Sequence, residues 1–307
     1  MTARFLTTRF LSMLVSAWFV VTIVFFLARL TGDPASLLLP DIATDEEIAE
    51  FRSRYGFDDP LIVQYGRFLG RALQGDFGQS IRHMEPAFQA VLRYMPATIE
   101  LALASIAVAT LLGISIGVIA ATRPGSAFDA FVMGVAVLGQ SMPVFWQGLM
   151  AMLVFGVVLG WLPISGRGDL SHLVLPALTL GTTQMAAFAR LARAGTLEQL
   201  RQDYVRTARS RGVREIVVLW RHVLPNAAIP LVTQIGLSFG GLLAGSVITE
   251  TIFAWPGVGR FALQAVYNRD FPVVQATVFL VAMIFLVINF VVDVVYTWLD
   301  PRTQLSA

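Results

Sequence analysis

The sequence contains no cysteine, and all 22 residues of its Lys+Arg count are arginine. Without cysteine the chain can form neither a disulfide nor a thiolate metal site. Without lysine it has no phosphate-binding loop of the GxxxxGK[ST] type, which would exclude its own ATP hydrolysis of that kind. Its three histidines are far apart in the sequence, so no zinc motif is present. We therefore predict no metal and no cofactor, and any ATP that drives this protein must be hydrolysed by another chain.

Charge is also scarce. Only 14% of the residues are charged and 56% are hydrophobic, whereas a soluble domain carries about 25% charged residues. This deficit indicates that much of the surface faces membrane lipids. The formal net charge of +2 is too small to suggest a nucleic-acid partner.

Six apolar segments are each long enough to cross a membrane, which takes about 20 residues. The first lies between Arg9 and Arg29 and follows basic residues, as in a signal peptide, but it lacks an A-x-A-like cleavage site and is expected to be retained. The other five are 97–121, about 130–157 with a kink near QSMP, 173–189, 226–249 and 271–292. The sequence therefore predicts an all-α membrane protein with six transmembrane helices.

The distribution of arginine predicts the orientation. With six spans, the positive-inside rule places both termini and the arginine-rich loop in the cytoplasm. The predicted organisation is a tail and first transmembrane helix (1–30), an extracytoplasmic loop with short helices (31–96), a membrane core (97–298) and a cytoplasmic tail (299–307).

The long outer loop contains signals for two short helices. Thr44 and Glu47 have the spacing of a capping box, and Gly56 is placed to end that helix. Asp59 is the predicted cap of the second helix, with Pro60 in its first position. These helices either cover the ends of the spans or form a docking surface for an external partner.

Uncharged polar residues recur within the predicted spans. They either form hydrogen bonds between helices or line a path for a polar substrate. The candidates for such a translocation path, together with the proline at the kink, are Gln140, Ser141, Pro143, Gln147, Gln184, Gln234 and Ser238. The glycines of the fifth span favour close helix packing, with a hinge or a dimer seam as the alternative.

No ionisable residue lies clearly in the middle of a predicted span, and Glu100, Glu250 and Asp293 are near span ends. Ion-coupled carriers usually have a buried carboxylate, so this pattern disfavours a self-sufficient carrier or channel. The titratable residues are scattered, which disfavours a membrane enzyme. Both remain alternatives at this point.

The most polar segment, 190–225, holds eight arginines. A topological anchor explains their sign but not their order. An apolar stripe runs through Leu197, Leu200, Tyr204 and Ala208 at helical spacing, and Gly212 then marks a turn. A surface helix of this kind fits a groove in a partner protein.

This segment resembles the motif of ABC-importer permeases, which is E-A-A, three residues, G, nine residues and I-x-L-P. The chain keeps Ala208, Gly212, Leu224 and Pro225 at that spacing, and it departs from the motif at three positions, Arg206, Thr207 and His222. Collinear stretches such as GDFGQSI, LGQSMPVFW, ETIFAWPGVGRF and the terminal DPR further resemble the dipeptide/oligopeptide/nickel importers.

The resemblance implies a type I ABC-importer permease fold in the cell inner membrane, not an enzyme. It implies a heterodimer with a second permease subunit, two cytoplasmic ATP-binding subunits and an extracytoplasmic substrate-binding protein. The implied cargo is di- or oligopeptides, with nickel chelates or glutathione-like molecules as alternatives. It also implies a coupling helix at about 202–212, in which the ATPase-coupling positions are Asp203, Tyr204, Ala208, Arg209 and Gly212.

Overall fold

The computed structural model describes residues 3–30 and 44–299, and within these ranges the chain is mostly helical and forms no strand. The part of the predicted outer loop at 31–43 and the tail residues 300–307, including the terminal DPR, lie outside the described residues. The helices are α1 (Ala3–Leu30), α2 (Asp45–Tyr55), α3 (Leu61–Ala72), α4 (Ala87–Thr122), α5 (Ala127–Ser141), α6 (Val144–Ala151), α7 (Leu170–Leu200), α8 (Asp203–Ser210), α9 (Glu215–Val217), α10 (Leu224–Gly245), α11 (Val247–Ile252), α12 (Val258–Tyr267) and α13 (Phe271–Leu299). Two π-helical segments, Met152–Val158 and Val218–Val223, continue α6 and α9.

Three described helices are long and apolar enough to cross a membrane, namely those containing Thr7–Phe26, Ala87–Thr122 and Phe271–Val295. Two bent pairs would each form one more span, 127–158 and 215–244. The predicted fourth span, 173–189, lies inside α7, a helix of 31 residues with a basic second half. At about 1.5 Å per residue, α7 is long enough to cross a bilayer. The count of six spans remains a prediction.

The second and third spans differ most from the prediction. Helix α4 begins at Ala87, ten residues before the predicted start of the second span, and it continues through Pro96 without a break. The third span is bent far more sharply than a proline kink, because the axes of α5 and the α6 segment meet at 104°. We call the bend between Ser141 and Val144 the elbow.

The two short helices predicted within residues 31–96 are present. Thr44 and Glu47 form the predicted capping box, and Gly56 ends α2 in the left-handed conformation. The predicted cap at Asp59 is wrong, because α3 begins after Pro60 without a side-chain cap. The Asp59 carboxylate instead accepts a hydrogen bond from Arg67 at 2.6 Å.

Helices α4 and α7 form the central pair of the fold. A Cβ built on Gly117 would lie 2.3 Å from the carbonyl oxygen of Ala189, and one on Gly113 would lie 2.7 Å from that of Met185. Only glycine permits this approach of the two backbones. The glycines of the fifth span make a second close contact, between Gly236 of α10 and Val292 of α13.

Helix α3 and the loop after it pack onto the helical core through one apolar cluster. Its buried members come from α1, α3, α4, α12 and α13 and from the loop at Phe77. Phe25 of α1 packs edge-on against Tyr65 of α3, and the Tyr65 hydroxyl lies 2.8 Å from the Thr22 hydroxyl. Helix α3 is thus attached to α1.

Candidate coupling and transport sites

Helix α8 is a separate helix of eight residues that ends in a well-formed turn. The Gly212 N–H donates to the Arg209 carbonyl at 3.0 Å, and the Val213 N–H donates to the Ala208 carbonyl at 3.3 Å. This pair of bonds is the Schellman motif, in which the residue after the cap takes positive φ. Gly212 has φ of +75°. The glycine predicted as a turn is therefore the residue that reverses the chain after α8.

The apolar side of α8 faces the rest of the chain. Val205 and Ala208 are buried against Val218 and Val223, and Leu200 and Val213 pack around them. The predicted stripe is not one continuous helix, because the chain breaks at Arg201 and Gln202 between α7 and α8. The break turns Ala208 inward, where it is 8% exposed.

The opposite side of α8 is polar and open. The Asp203 side chain is 92% exposed, and its contact with Arg206 is 3.3 Å long. Arg209 donates to Glu215 through Nε at 3.0 Å, and this carboxylate raises the pKa of Arg209. The Tyr204 ring is exposed, and its hydroxyl donates to Gln199 at 2.7 Å. Asp203, Tyr204 and Arg209 are therefore available to a partner, whereas Ala208 and Gly212 shape the element.

Four of the seven path candidates lie at the elbow. Gln147 donates from Nε2 to the carbonyls of Gly139 and Met142, at 2.8 and 2.9 Å, and accepts from the Thr182 hydroxyl at 2.6 Å. Gln140 accepts from Arg190 at 3.0 Å, and Ser141 donates to its own helix at Val137. Pro143 is the residue before α6. Gln147 thus holds the bend closed.

The other three candidates lie between α7 and α10. The Ser238 hydroxyl donates to Gln184 at 3.1 Å and accepts from Gln234 at 3.3 Å. Gln184 is two residues from Thr182, and two residues turn a helix by about 200°. The structure therefore divides the candidates into two groups on opposite faces of α7.

An ion pair with a buried carboxylate, missed at the level of sequence, joins α7 to α5. Arg193 of α7 donates from Nε and Nη2 to the two oxygens of Asp129, at 2.7 and 2.6 Å. Asp129 is 4% exposed and also accepts from the Gly125 N–H. The sequence indicated Arg193 only as one of the arginines of segment 190–225, and its partner lies 64 residues away.

The burial of Glu250 is a further feature that the sequence did not indicate. It was placed near a span end, but it is 0% exposed. Its Oε1 accepts from the hydroxyls of Thr98 and Ser246, and its Oε2 accepts from the Arg260 N–H, each at 2.8 Å. The adjacent Gly257 leaves the space that the carboxylate fills. This carboxylate ties the segment between α10 and α12 to α4.

Two family models match the chain. Residues 113–305 match the binding-protein-dependent transport system inner membrane component, and residues 2–102 match the N-terminal part of the same class of membrane component. The chain belongs to this family. It is a multi-pass membrane transport subunit. The boundary between the two family models, at residues 102–113, lies within α4.

Curated relatives cover the permease almost from end to end. It is 42% identical to the di/tripeptide transport system permease protein DppB of Pseudomonas aeruginosa, over 96% of this chain and 97% of that protein. It is 38% identical to the dipeptide transport system permease protein DppB of Alkalihalophilus pseudofirmus, over 89% and 90%. It is 41% identical to the glutathione transport system permease protein GsiC of Salmonella paratyphi A, over 98% and 99%.

Solved structures support the fold. A chain of the MetNI methionine ABC transporter, in an inward-facing conformation, superposes with a TM-score of 0.60 at 19% identity. The superposition covers 70% of the permease and 99% of the MetNI chain. The permease therefore has the fold of ABC-importer permeases.

Proposed function

We propose that this permease is one subunit of an ABC importer that carries di- or oligopeptides across the inner membrane. It would form half of the translocation path with a second, unlike permease. Two separate ATP-binding subunits would hydrolyse ATP, and an extracytoplasmic binding protein would deliver the peptide. The observation that supports this best is the 42% identity to a di/tripeptide permease over 96% of the chain.

In this proposal α8 is the coupling helix and lies in the cytoplasm with both chain termini. Asp203, Tyr204 and Arg209 would contact a groove of an ATP-binding subunit. Ala208 would set the depth of α8 through its packing on Val218 and Val223, and Gly212 would set its exit. A short helix with one buried apolar face and one exposed polar face is well suited to such docking.

Residues 31–96 would form the extracytoplasmic segment and 97–298 the core, followed by the tail at 299–307. Of the path candidates, Gln184, Gln234 and Ser238 form one hydrogen-bonded group between α7 and α10. They are our first choice for contact with the peptide. Gln140, Ser141, Pro143 and Gln147 would serve the path indirectly, by fixing the elbow beside it.

Single cysteines test docking and orientation together, because the chain has none of its own. Thr207→Cys places a thiol on the exposed side of α8, and Gln74→Cys places one on the outer segment. In intact cells a membrane-impermeant maleimide should label only Gln74→Cys, and a cross-linker should join only Thr207→Cys to an ATP-binding subunit. Cross-linking from Gln74→Cys with none from Thr207→Cys would refute the assignment of α8.

Uptake distinguishes the cargo. Cells that lack this gene should lose accumulation of labelled di- and tripeptides, and the gene should restore it only with active ATP-binding subunits. Glutathione is the second candidate, because the permease is 41% identical to a glutathione permease. Restored glutathione uptake with unchanged peptide uptake would favour that cargo. Flux through the reconstituted permease alone would instead favour a self-sufficient carrier.

A further inference from the structure

Helix α7 leads directly to α8. Only Arg201 and Gln202 separate the two helices, so movement of α8 acts on the end of α7. With 31 residues, α7 is about 46 Å long, and its second half, from Thr182 to Leu200, follows Pro176 without a break. The question is which contacts pass its movement to the neighbouring helices.

Three polar contacts join one face of α7 to the bent pair of α5 and α6. The contacts are made by Thr182, Arg190 and Arg193 of α7. Because each residue turns an α-helix by about 100°, Arg190 lies roughly 80° and Arg193 roughly 20° around the helix axis from Thr182. Thr182 reaches Gln147 beyond the elbow at 2.6 Å, and Arg190 reaches Gln140 just before it at 3.0 Å. The elbow is thus held to α7 on both sides.

The third contact, between Arg193 and Asp129, is the strongest of the three. It has two parallel hydrogen bonds at 2.7 and 2.6 Å, and its carboxylate is almost fully buried. A bidentate arginine–carboxylate pair fixes direction as well as distance. Asp129 is itself held at the start of α5, because the Gly125 N–H donates to it and its own N–H donates to Ser126.

The packing of α4 on α7 does not provide the same link. That seam is formed by glycines, alanines and apolar side chains, and among the described residues no charged side chains pair across it. The pair at Arg193 lies closest to α8 of the three contacts and has a single geometry. It is therefore suited to move α5 with α7 rather than let α5 slide.

We propose that Asp129 and Arg193 are positioning residues that make α7, α5 and the elbow move as one body when α8 moves. The inference rests on the proposed function, in which an ATP-binding subunit moves α8. It assigns a task to this ion pair beyond local stability, because breaking the pair should leave α8 docked but loosen α5 and the elbow from α7, which the weaker contacts of Thr182 and Arg190 then hold alone.

Spin labels in the assembled complex test the proposal directly. Labels at Thr207→Cys on α8 and Leu138→Cys near the elbow report one distance, and both positions are exposed. This distance should be the same in the nucleotide-free and ATP-bound states of the otherwise unchanged protein. In Asp129→Asn it should differ between the states by several ångströms. The inference would be overturned if the distance changed between the two nucleotide states in the protein with Asp129 intact. It would also be overturned if the distance stayed constant between them in Asp129→Asn.

Transport per ATP hydrolysed gives the second readout. Asp129→Arg and Arg193→Asp should each lower this ratio on the order of tenfold, and the exchanged pair Asp129→Arg with Arg193→Asp should recover most of it. Arg193→Lys should retain part. Arg93→Gln, which breaks the exposed pair with Glu85, is the matched control and should leave the ratio unchanged. No recovery in the exchanged pair, when that complex assembles, would count against the proposal.

The same complexes separate this inference from the proposed function. If Thr207→Cys does not cross-link to an ATP-binding subunit, then the proposed function of α8 fails. If it cross-links in Asp129→Asn as in the unchanged protein while the label distance behaves as stated, both proposals stand. Should Asp129→Asn fail to assemble, the label distance in Arg193→Lys decides, because that variant keeps the charge but loses the two parallel bonds.

Discussion

Gly212→Ala should weaken the turn that ends α8 without creating any new contact. Gly212 has φ of +75°, a conformation that disfavours L-residues with a Cβ by about 1–2 kcal/mol. A Cβ built at this position would have no neighbouring heavy atom within 4 Å. The whole penalty is therefore backbone strain, and no steric clash adds to it.

The strain should appear in the two hydrogen bonds of the turn, from Gly212 N–H at 3.0 Å and Val213 N–H at 3.3 Å. A destabilisation of about 1–2 kcal/mol raises the open fraction of the turn roughly 5- to 30-fold. Hydrogen–deuterium exchange at these amides should accelerate by that factor in the isolated permease. Gly212→Asn should show a smaller effect, since asparagine tolerates positive φ better.

Gly160→Ala is the matched control. Gly160 also has positive φ, +63°, with no heavy atom within 4 Å of a built Cβ, but it follows the α6 segment. It should leave exchange at Gly212 and Val213 unchanged. Equal exchange in Gly212→Ala and the unchanged protein, or a larger effect in Gly212→Asn than in Gly212→Ala, would refute the strain argument.

Three further outcomes follow from the packing and the polar contacts. Gly117→Ala should destabilise the α4–α7 pair by about 1–3 kcal/mol, measured by thermal unfolding in detergent. The control Gly134→Ala, with open space around it, should not lower the midpoint. Glu250→Gln should lower the free energy of unfolding by about 1–3 kcal/mol, because the amide N–H₂ would replace one carboxylate oxygen that now accepts from Thr98 and Ser246 or from the Arg260 N–H. An unchanged unfolding midpoint would contradict the hydrogen bonding described. Hydrogen bonds from the backbone and side chain of Thr44 lower the pKa of Glu47, so the start of α2 should be protected from exchange at neutral pH and lose protection as the pH falls through the folded pKa. Thr44→Ala should reduce this pH dependence, because it keeps the backbone bond and loses the hydroxyl bond, and Thr44→Ser should keep it in full.

Local features of the fold could be predicted because their causes lie within a few residues of sequence. The capping box at Thr44 and Glu47 and the stop at Gly56 are of this kind, and all three are confirmed. The turn at Gly212 follows the same logic. The predicted cap at Asp59 failed for an equally local reason, since Arg67, two turns along α3, takes the carboxylate.

Features set by distant contacts could not be predicted in this way. The kink near QSMP was expected, but its angle of 104° depends on Gln147, which bonds two carbonyls of α5 and the Thr182 hydroxyl of α7. Composition places Glu250 near a span end. Its burial becomes visible only when Thr98, 152 residues away, is seen to donate to it.

The arginines of segment 190–225 have different exposures and partners, which a net charge does not reveal. All of them satisfy the positive-inside pattern equally well, yet they occupy different environments. Arg206 is exposed and its contact with Asp203 is long, so that ion pair contributes little to stability. Arg193 is held by a buried carboxylate through two short bonds, and loss of Arg193 would leave the buried charge of Asp129 unpaired. The segment therefore combines arginines such as Arg206 with two, Arg190 and Arg193, whose side chains join α7 to α5, and geometry rather than charge separates the two kinds.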